Sequence, residues 1–254
     1  EGENIVNSRE FYSVFKTERT FKVYHKGQKI GDLQPNSQLK IDENIFLSAR
    51  IWKVKEIDVQ GFKITVIPAP DGKKPKFFGG GGNIHRQIRE EMLRILKSNE
   101  NYSELDDSSN EIIAEMRYDF KGFKVNDVKF DCPTIEKDGK LLIYTFTGSK
   151  INKSLSFLLS LTGIQPTFDD HSSSFELEID KSDFKNLVQE INIKHKQIND
   201  YLIEALKENE SLIGFSKWGE YLPLEYQAEI VKERYFDFED TIELINKLNL
   251  IENE

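Results

Sequence analysis

Three cations and an indole share one short apolar stretch of this chain. Arg50, Trp52, Lys53 and Lys55 lie within Ile45–Ile57, and Lys63 opens the next apolar run. Strict alternation of this kind predicts a strand with one buried face and one solvated face. A face with cations and an aromatic ring can hold single-stranded nucleic acid: cations meet phosphates, and rings stack on bases. Trp52 is open to two readings here. It shares a strand face with Val54 and could anchor a core, or it could stand half exposed and take a base. Phe77 and Phe78, after Pro75, divide in the same way between packing and stacking.

Other chemistry is poorly supported. Gly79–Gly82 is glycine-rich, but no Gly-Lys-Ser/Thr follows, so the lysine and the magnesium-binding hydroxyl of a P-loop are missing. A glycine run ahead of a helix can still offer N–H groups to a phosphate. Arg86 and Arg89, in the first turns after it, join the candidate nucleic-acid contacts. His25, His85, His171 and His195 show no metal-ligand spacing, and Cys132 is the single cysteine, which excludes an intrachain disulfide. Asp170-His171-Ser172 holds catalytic residue types, but they form a run in a polar loop with no nucleophile-elbow glycines, so a solvated loop is the simpler reading. No catalytic residue, cofactor site or metal site is assigned.

The elements that must position these residues divide the chain in two. Phe11–Phe15, Phe21–Tyr24, Lys29–Ile30, Ile45–Leu47, Ile51–Ile57 and Phe62–Ile67 read as short strands separated by turns, the pattern of a small barrel. A helix follows from Asn83 to about Ser98. The polar stretch from Ser98 to Asn110 is the expected boundary, giving residues 1–98 and 99–254. Beyond it come a strand at Leu141–Phe146, an apolar helix at Asn152–Leu161, an alternating strand at Phe175–Ile179, and helices to the end; Glu111–Asp119 is ambiguous. The expected class is α+β: a small N-terminal antiparallel β-barrel, then an α/β region closed by C-terminal helices.

Charge follows the same division. The chain of 254 residues carries −9 overall, yet residues 1–97 hold 18 Lys and Arg against 12 Asp and Glu, and residues 98–254 hold 17 against 32. The basic part suits a polyanion despite the acidic total. No apolar run approaches the ~18–20 residues needed to cross a bilayer. Glu1-Gly2-Glu3-Asn4 lacks the start of a signal peptide, and the absence of an initiator Met predicts a piece of a longer protein. A cytoplasmic location is expected.

The order of elements resembles the C-terminal assembly of large helicase-related (Lhr-type) superfamily 2 DEAD/DEAH-box helicases. The residues that carry the resemblance are Ile30-Gly31-Asp32-Leu33, Trp52-Lys53-Val54, Val66-Ile67-Pro68-Ala69 and Pro75-Lys76-Phe77. Ile143–Asn152 and Leu155–Leu161, then Gln227–Val231 and Tyr235–Phe238, resemble the DEAD/H-associated domain. The family pattern has Gly where Ala49 stands and Arg where Ser149 stands. The resemblance implies an accessory fragment that guides single-stranded DNA or an RNA–DNA hybrid. RecA-like and winged-helix domains of the parent protein would supply the motor and bind ATP and Mg. A protein-interaction module of a DNA repair or phage-defence complex is the alternative, and a hydrolase built on Asp170-His171-Ser172 a further one.

Overall fold

The computed structural model describes residues 12, 20–33, 39–69 and 82–253. Phe77, Phe78, Gly79–Gly81 and the expected strand at Phe11–Phe15 lie outside the described residues, Tyr12 excepted. The protein is α+β, with two five-stranded sheets in two compact units, residues 1–81 and 82–254. This division falls ahead of the helix Arg86–Lys97, whereas the sequence pattern alone places it at 98/99. That helix, α1, buries Leu93 and Leu96 against Phe146, so its apolar stripe belongs to the second core.

The first unit contains β1 (Phe21–His25), β2 (Gln28–Leu33), β3 (Asn44–Leu47), β4 (Arg50–Asp58) and β5 (Lys63–Pro68), in the order β2-β1-β5-β4-β3. All pairings are antiparallel except β1 with β5. Two-residue turns with left-handed backbone join the hairpins: Lys26-Gly27 between β1 and β2, and Ser48-Ala49 between β3 and β4. Such turns match strand twist. The sheet curls until its edge strands meet at one end. There Ser48 Oγ donates to the Ile30 carbonyl at 2.7 Å. Beside it Gly31 lies so close to Leu47 that a Cβ would come within 3.0 Å of it. Phe21, Val23, Leu39, Ile45, Trp52, Val54, Ile64 and Val66 fill the concave side.

In the second unit, α1 and α2 (Asp107–Phe120) precede a sheet of β6 (Asp131–Lys137), β7 (Lys140–Tyr144), β8 (Thr167–Asp169), β9 (Ser174–Leu177) and β10 (Asn249–Ile251). The strand order is β10-β6-β7-β9-β8, with β10 parallel to β6 and the rest antiparallel. Helices α3 (Ser149–Leu161), α4 (Phe184–Lys194), α5 (Ile198–Glu208), α6 (Leu224–Tyr235) and α7 (Phe238–Lys247) build its main core with Leu141, Ile143, Phe175 and Leu177. The ambiguous Glu111–Asp119 segment is helical, started by Asp106, whose carboxylate accepts from Ser109 N–H at 2.8 Å. Helix α3 starts at Gly148, where a Cβ would come within 3.1 Å of the Arg86 backbone nitrogen.

Candidate nucleic-acid interface

Trp52 is core. It is 6% exposed, its Nε1–H donates to the Leu47 carbonyl at 3.0 Å, and its ring lies 4.9 Å from that of His25. His25 is itself fixed through Nδ1, 3.0 Å from the Val66 carbonyl oxygen. The indole therefore occupies the concave side, and the expected base contact at Trp52 is not available. Successive strand residues point to opposite faces, so its neighbours are directed the other way.

Strand register defines that other face. Lys22 and Tyr24 of β1 stand beside Lys63 and Thr65 of β5. Lys53 of β4 stands opposite Ile67, and Ile51 opposite Phe46 of β3. A diagonal stripe results: Lys22, Lys63, Tyr24 and Thr65 at one end, then Ile67 and Lys53, then Ile51 and Phe46. Phe46 and Ile51 are 48% and 40% exposed, large values for apolar side chains. The Lys63 ammonium sits 4.9 Å above the Tyr24 ring, a cation–π contact.

Electrostatics differ along the stripe. Lys22 and Lys63 are exposed, lie directly opposite each other, and form no close ion pair among the described residues, although Asp32 stands opposite Lys22 and Asp58 opposite Lys63 on the flanking strands. Like charges facing one another across a ladder are unfavourable. Lys53 and Lys55 both approach Asp42, at 3.6 and 3.9 Å. Arg50 is exposed at the β3–β4 turn.

Arg86 and Arg89 belong to the second unit, and both are engaged internally. Arg86 Nε donates to Glu90 at 2.5 Å and Nη1 to Asp240 at 3.3 Å, tying α1 to α7. Arg89 is 1% exposed. Its guanidinium donates to the His171 carbonyl at 2.8 Å and to the Asp170 carbonyl. A cation buried this way clamps a turn and cannot reach a phosphate on the surface.

The same turn engages the residues of the Asp170-His171-Ser172 run in structural hydrogen bonds. Asp169 accepts from the His171 N–H at 2.9 Å and from Ser172 Oγ at 2.7 Å, and these bonds organise the turn. The Ser172 hydroxyl holds the Asp169 carboxyl below its usual range, with the two N–H groups assisting against burial. The Asp170 carboxylate accepts instead from Ser149 Oγ, at 3.0 and 3.1 Å. No hydrogen bond links the His171 ring to a hydroxyl among the described residues. Neighbouring Thr145, Asn152 and Ser173 satisfy one another in a buried knot: Thr145 Oγ1 donates to Asn152 Oδ1 at 2.7 Å, and Asn152 Nδ2 to Ser173 Oγ at 2.9 Å.

Among the described residues no group of three or more His, Cys, Asp or Glu is placed to hold a metal ion, and no helix is long and apolar enough to cross a membrane. Comparison with protein-family models, with curated proteins and with solved structures returns no match to this chain.

Of the residues that sequence reasoning named, Arg50, Lys53 and Lys55 lie on β4, Trp52 turns to the core, and Arg86 and Arg89 are engaged in the second unit. Phe46 and Tyr24 are rings that it did not name. Tyr24 could have been found from its alternation with Phe21 and Val23. Phe46 lies in a strand of four residues, too short for its face to be read.

Proposed function

We propose that the chain holds single-stranded nucleic acid along the outer face of its first sheet. The observation that carries this reading is the Lys22–Lys63 pair, two exposed cations side by side with the Tyr24 ring beneath one of them, flanked by Asp32 and Asp58 on the neighbouring strands. A phosphate between the two ammoniums would relieve their repulsion, and a base stacked on Tyr24 or Phe46 would add ~1–3 kcal/mol. On this reading the curled sheet is the small barrel of the Lhr-type assembly. The chain then guides single-stranded DNA or an RNA–DNA hybrid for RecA-like and winged-helix domains elsewhere in a parent helicase, which bind ATP and Mg. A cytoplasmic setting goes with it, and the single cysteine, Cys132, is free and buried.

A protein-docking role has its own support. Helix α2 buries none of its residues, and it exposes Ile112 and Met116 beside Glu111, Glu115 and Asp119. That surface suits a basic amphipathic partner.

Fluorescence anisotropy with a labelled oligothymidylate tests the nucleic-acid reading. Saturable binding is expected at low salt, weakened about tenfold by Tyr24→Ala or by Phe46→Ala, the effect of ~1.4 kcal/mol. Absence of saturable binding, or two ring variants that bind like the parent chain, would overturn it.

A further inference from the structure

We infer that a cleft in the second unit, between α3, α6, α7 and His195, binds a small organic phosphate monoester. The cleft measures about 540 Å³ and is lined by Lys150, Lys232, His195, Phe236, Phe238 and Ile242, with Glu233, Asp237 and Glu239 at its polar side. Small-molecule sites are typically clefts of ~300–1,000 Å³ with an apolar floor and a few converging polar groups.

The cleft's two ammoniums make no close ion pair with the carboxylates that line it. Lys150 donates to the Glu233 main-chain carbonyl at 2.7 Å, not to a carboxylate. Neither Lys150 nor Lys232 forms an ion pair among the described residues, although three acidic residues line the same cleft. Asp237 is occupied at the start of α7, where its carboxylate accepts from Asp240 N–H at 3.1 Å. Glu233 and Glu239 are exposed. Burial, and then the charge of Lys232, push the His195 imidazole below its usual pKa. The Lys150 and Lys232 ammoniums and the imidazole line one concavity, and a phosphate offers enough acceptor oxygens for the donors of all three.

The floor argues for an organic ester over the bare ion. Phe236 and Phe238 stack with centroids 5.0 Å apart, and Phe236 is half-buried, leaving ring surface toward the cleft with Ile242. Inorganic phosphate would leave that surface wet. A phosphate joined to a flat or apolar group would cover it, with the ester end directed toward the phenylalanines.

Titration of the full chain with adenosine 5′-monophosphate, adenosine and inorganic phosphate, followed by calorimetry and by the His195 imidazole resonances, decides the matter. The monophosphate should bind with a dissociation constant of about 1 mM or tighter, shift the His195 signals, and bind at least tenfold more tightly than either adenosine or phosphate. Lys232→Ala and Lys150→Ala should each weaken it about tenfold, with the melting temperature read alongside because both side chains are half-buried and Lys150 also holds the Glu233 carbonyl. No saturable shift at about ten times that concentration, phosphate binding as tightly as the ester, or lysine variants that bind normally would each overturn the assignment. Phe46→Ala, in the other unit, should leave this binding intact whatever its effect on oligonucleotide affinity. The two sites can therefore fail separately.

Discussion

Lys22 and Lys63 face each other across the parallel β1–β5 ladder, with Asp32 opposite Lys22 and Asp58 opposite Lys63 on the flanking strands. Cross-strand pairs contribute roughly 0.2–1 kcal/mol when complementary and cost a similar amount when alike, so the central like pair opposes what the two flanking pairs supply. Lys63→Glu would exchange repulsion with Lys22 for repulsion with Asp58, so it should leave the unfolding temperature of the first unit nearly unchanged while sharply reducing affinity for single strands. Lys63→Ala should lower the salt slope of binding by about 0.7, the loss of one phosphate contact. Calorimetric melting and anisotropy across a salt series measure the two effects. An unchanged slope would remove Lys63 from the interface.

Trp52 and Phe46 should behave as opposites. Trp52→Ala is expected to cost about 3–5 kcal/mol through lost burial and a cavity, enough to unfold a unit of this size. Trp52→Phe keeps most of the ring but leaves the Leu47 carbonyl without its donor, and should cost about 1–3 kcal/mol. Phe46→Ala should leave stability nearly unchanged. Urea titration of the three variants is the check, and a fully stable Trp52→Ala would contradict the core position of the indole.

The β3–β4 turn holds Ala49 at φ 59° and Ser48 at φ 51°. Left-handed backbone costs a residue with a Cβ about 1–2 kcal/mol. Glycine has no such penalty but loses more freedom on folding. Ala49→Gly should accordingly stabilise the first unit by about 0.5–1 kcal/mol, read as a higher melting temperature. A lower one would show that the turn relies on the alanine methyl group.

Asp131 supplies a pH signature. Burial pushes its carboxyl up, but the Asp127 N–H, the Asn249 side-chain amide and the Asn126 N–H together hold it below the usual 3.8. The contacts measure 2.9, 2.9 and 2.8 Å. Because the folded state has the lower pKa, the contribution to stability is complete above the unfolded value and is lost as pH falls through the folded one. Asp131→Asn should be less stable at neutral pH and show a flatter decline between about pH 5 and 3. Unfolding midpoints across that range test it, and identical slopes for the two chains would refute the assignment.

Much of this was legible in the residues, and the failures have physical causes. Alternation marked β4 and β5, and helical spacing marked α1 and α3 to α7, because in each the apolar pattern outlasts one period. Strand β6 was missed since Asp131, Pro133, Glu136 and Lys137 obscure any alternation; its first four residues are buried by partners distant in sequence. Arg89 looked like a surface cation, yet the carbonyls it serves lie 81 and 82 residues away, and nothing near it announces them. Cations beside Trp52 drew attention to the indole, although adjacency along a strand places side chains on opposite faces. The polar stretch after Ser98 resembled a linker, but Lys97 and Arg117 bind main-chain carbonyls across it and fasten α1 to α2.

Strand β10 is the last element of its sheet to be made, and its Asn249 binds Asp131, 118 residues earlier. At ~5–20 residues per second, a ribosome needs on the order of ten seconds to travel from one to the other. Throughout that interval β6 has been synthesised with one flank open and its carboxylate short of a partner. The second unit must therefore wait for its closing strand, exposed to chaperones and proteases. The first unit, whose five strands all lie upstream, is free to fold before that wait begins.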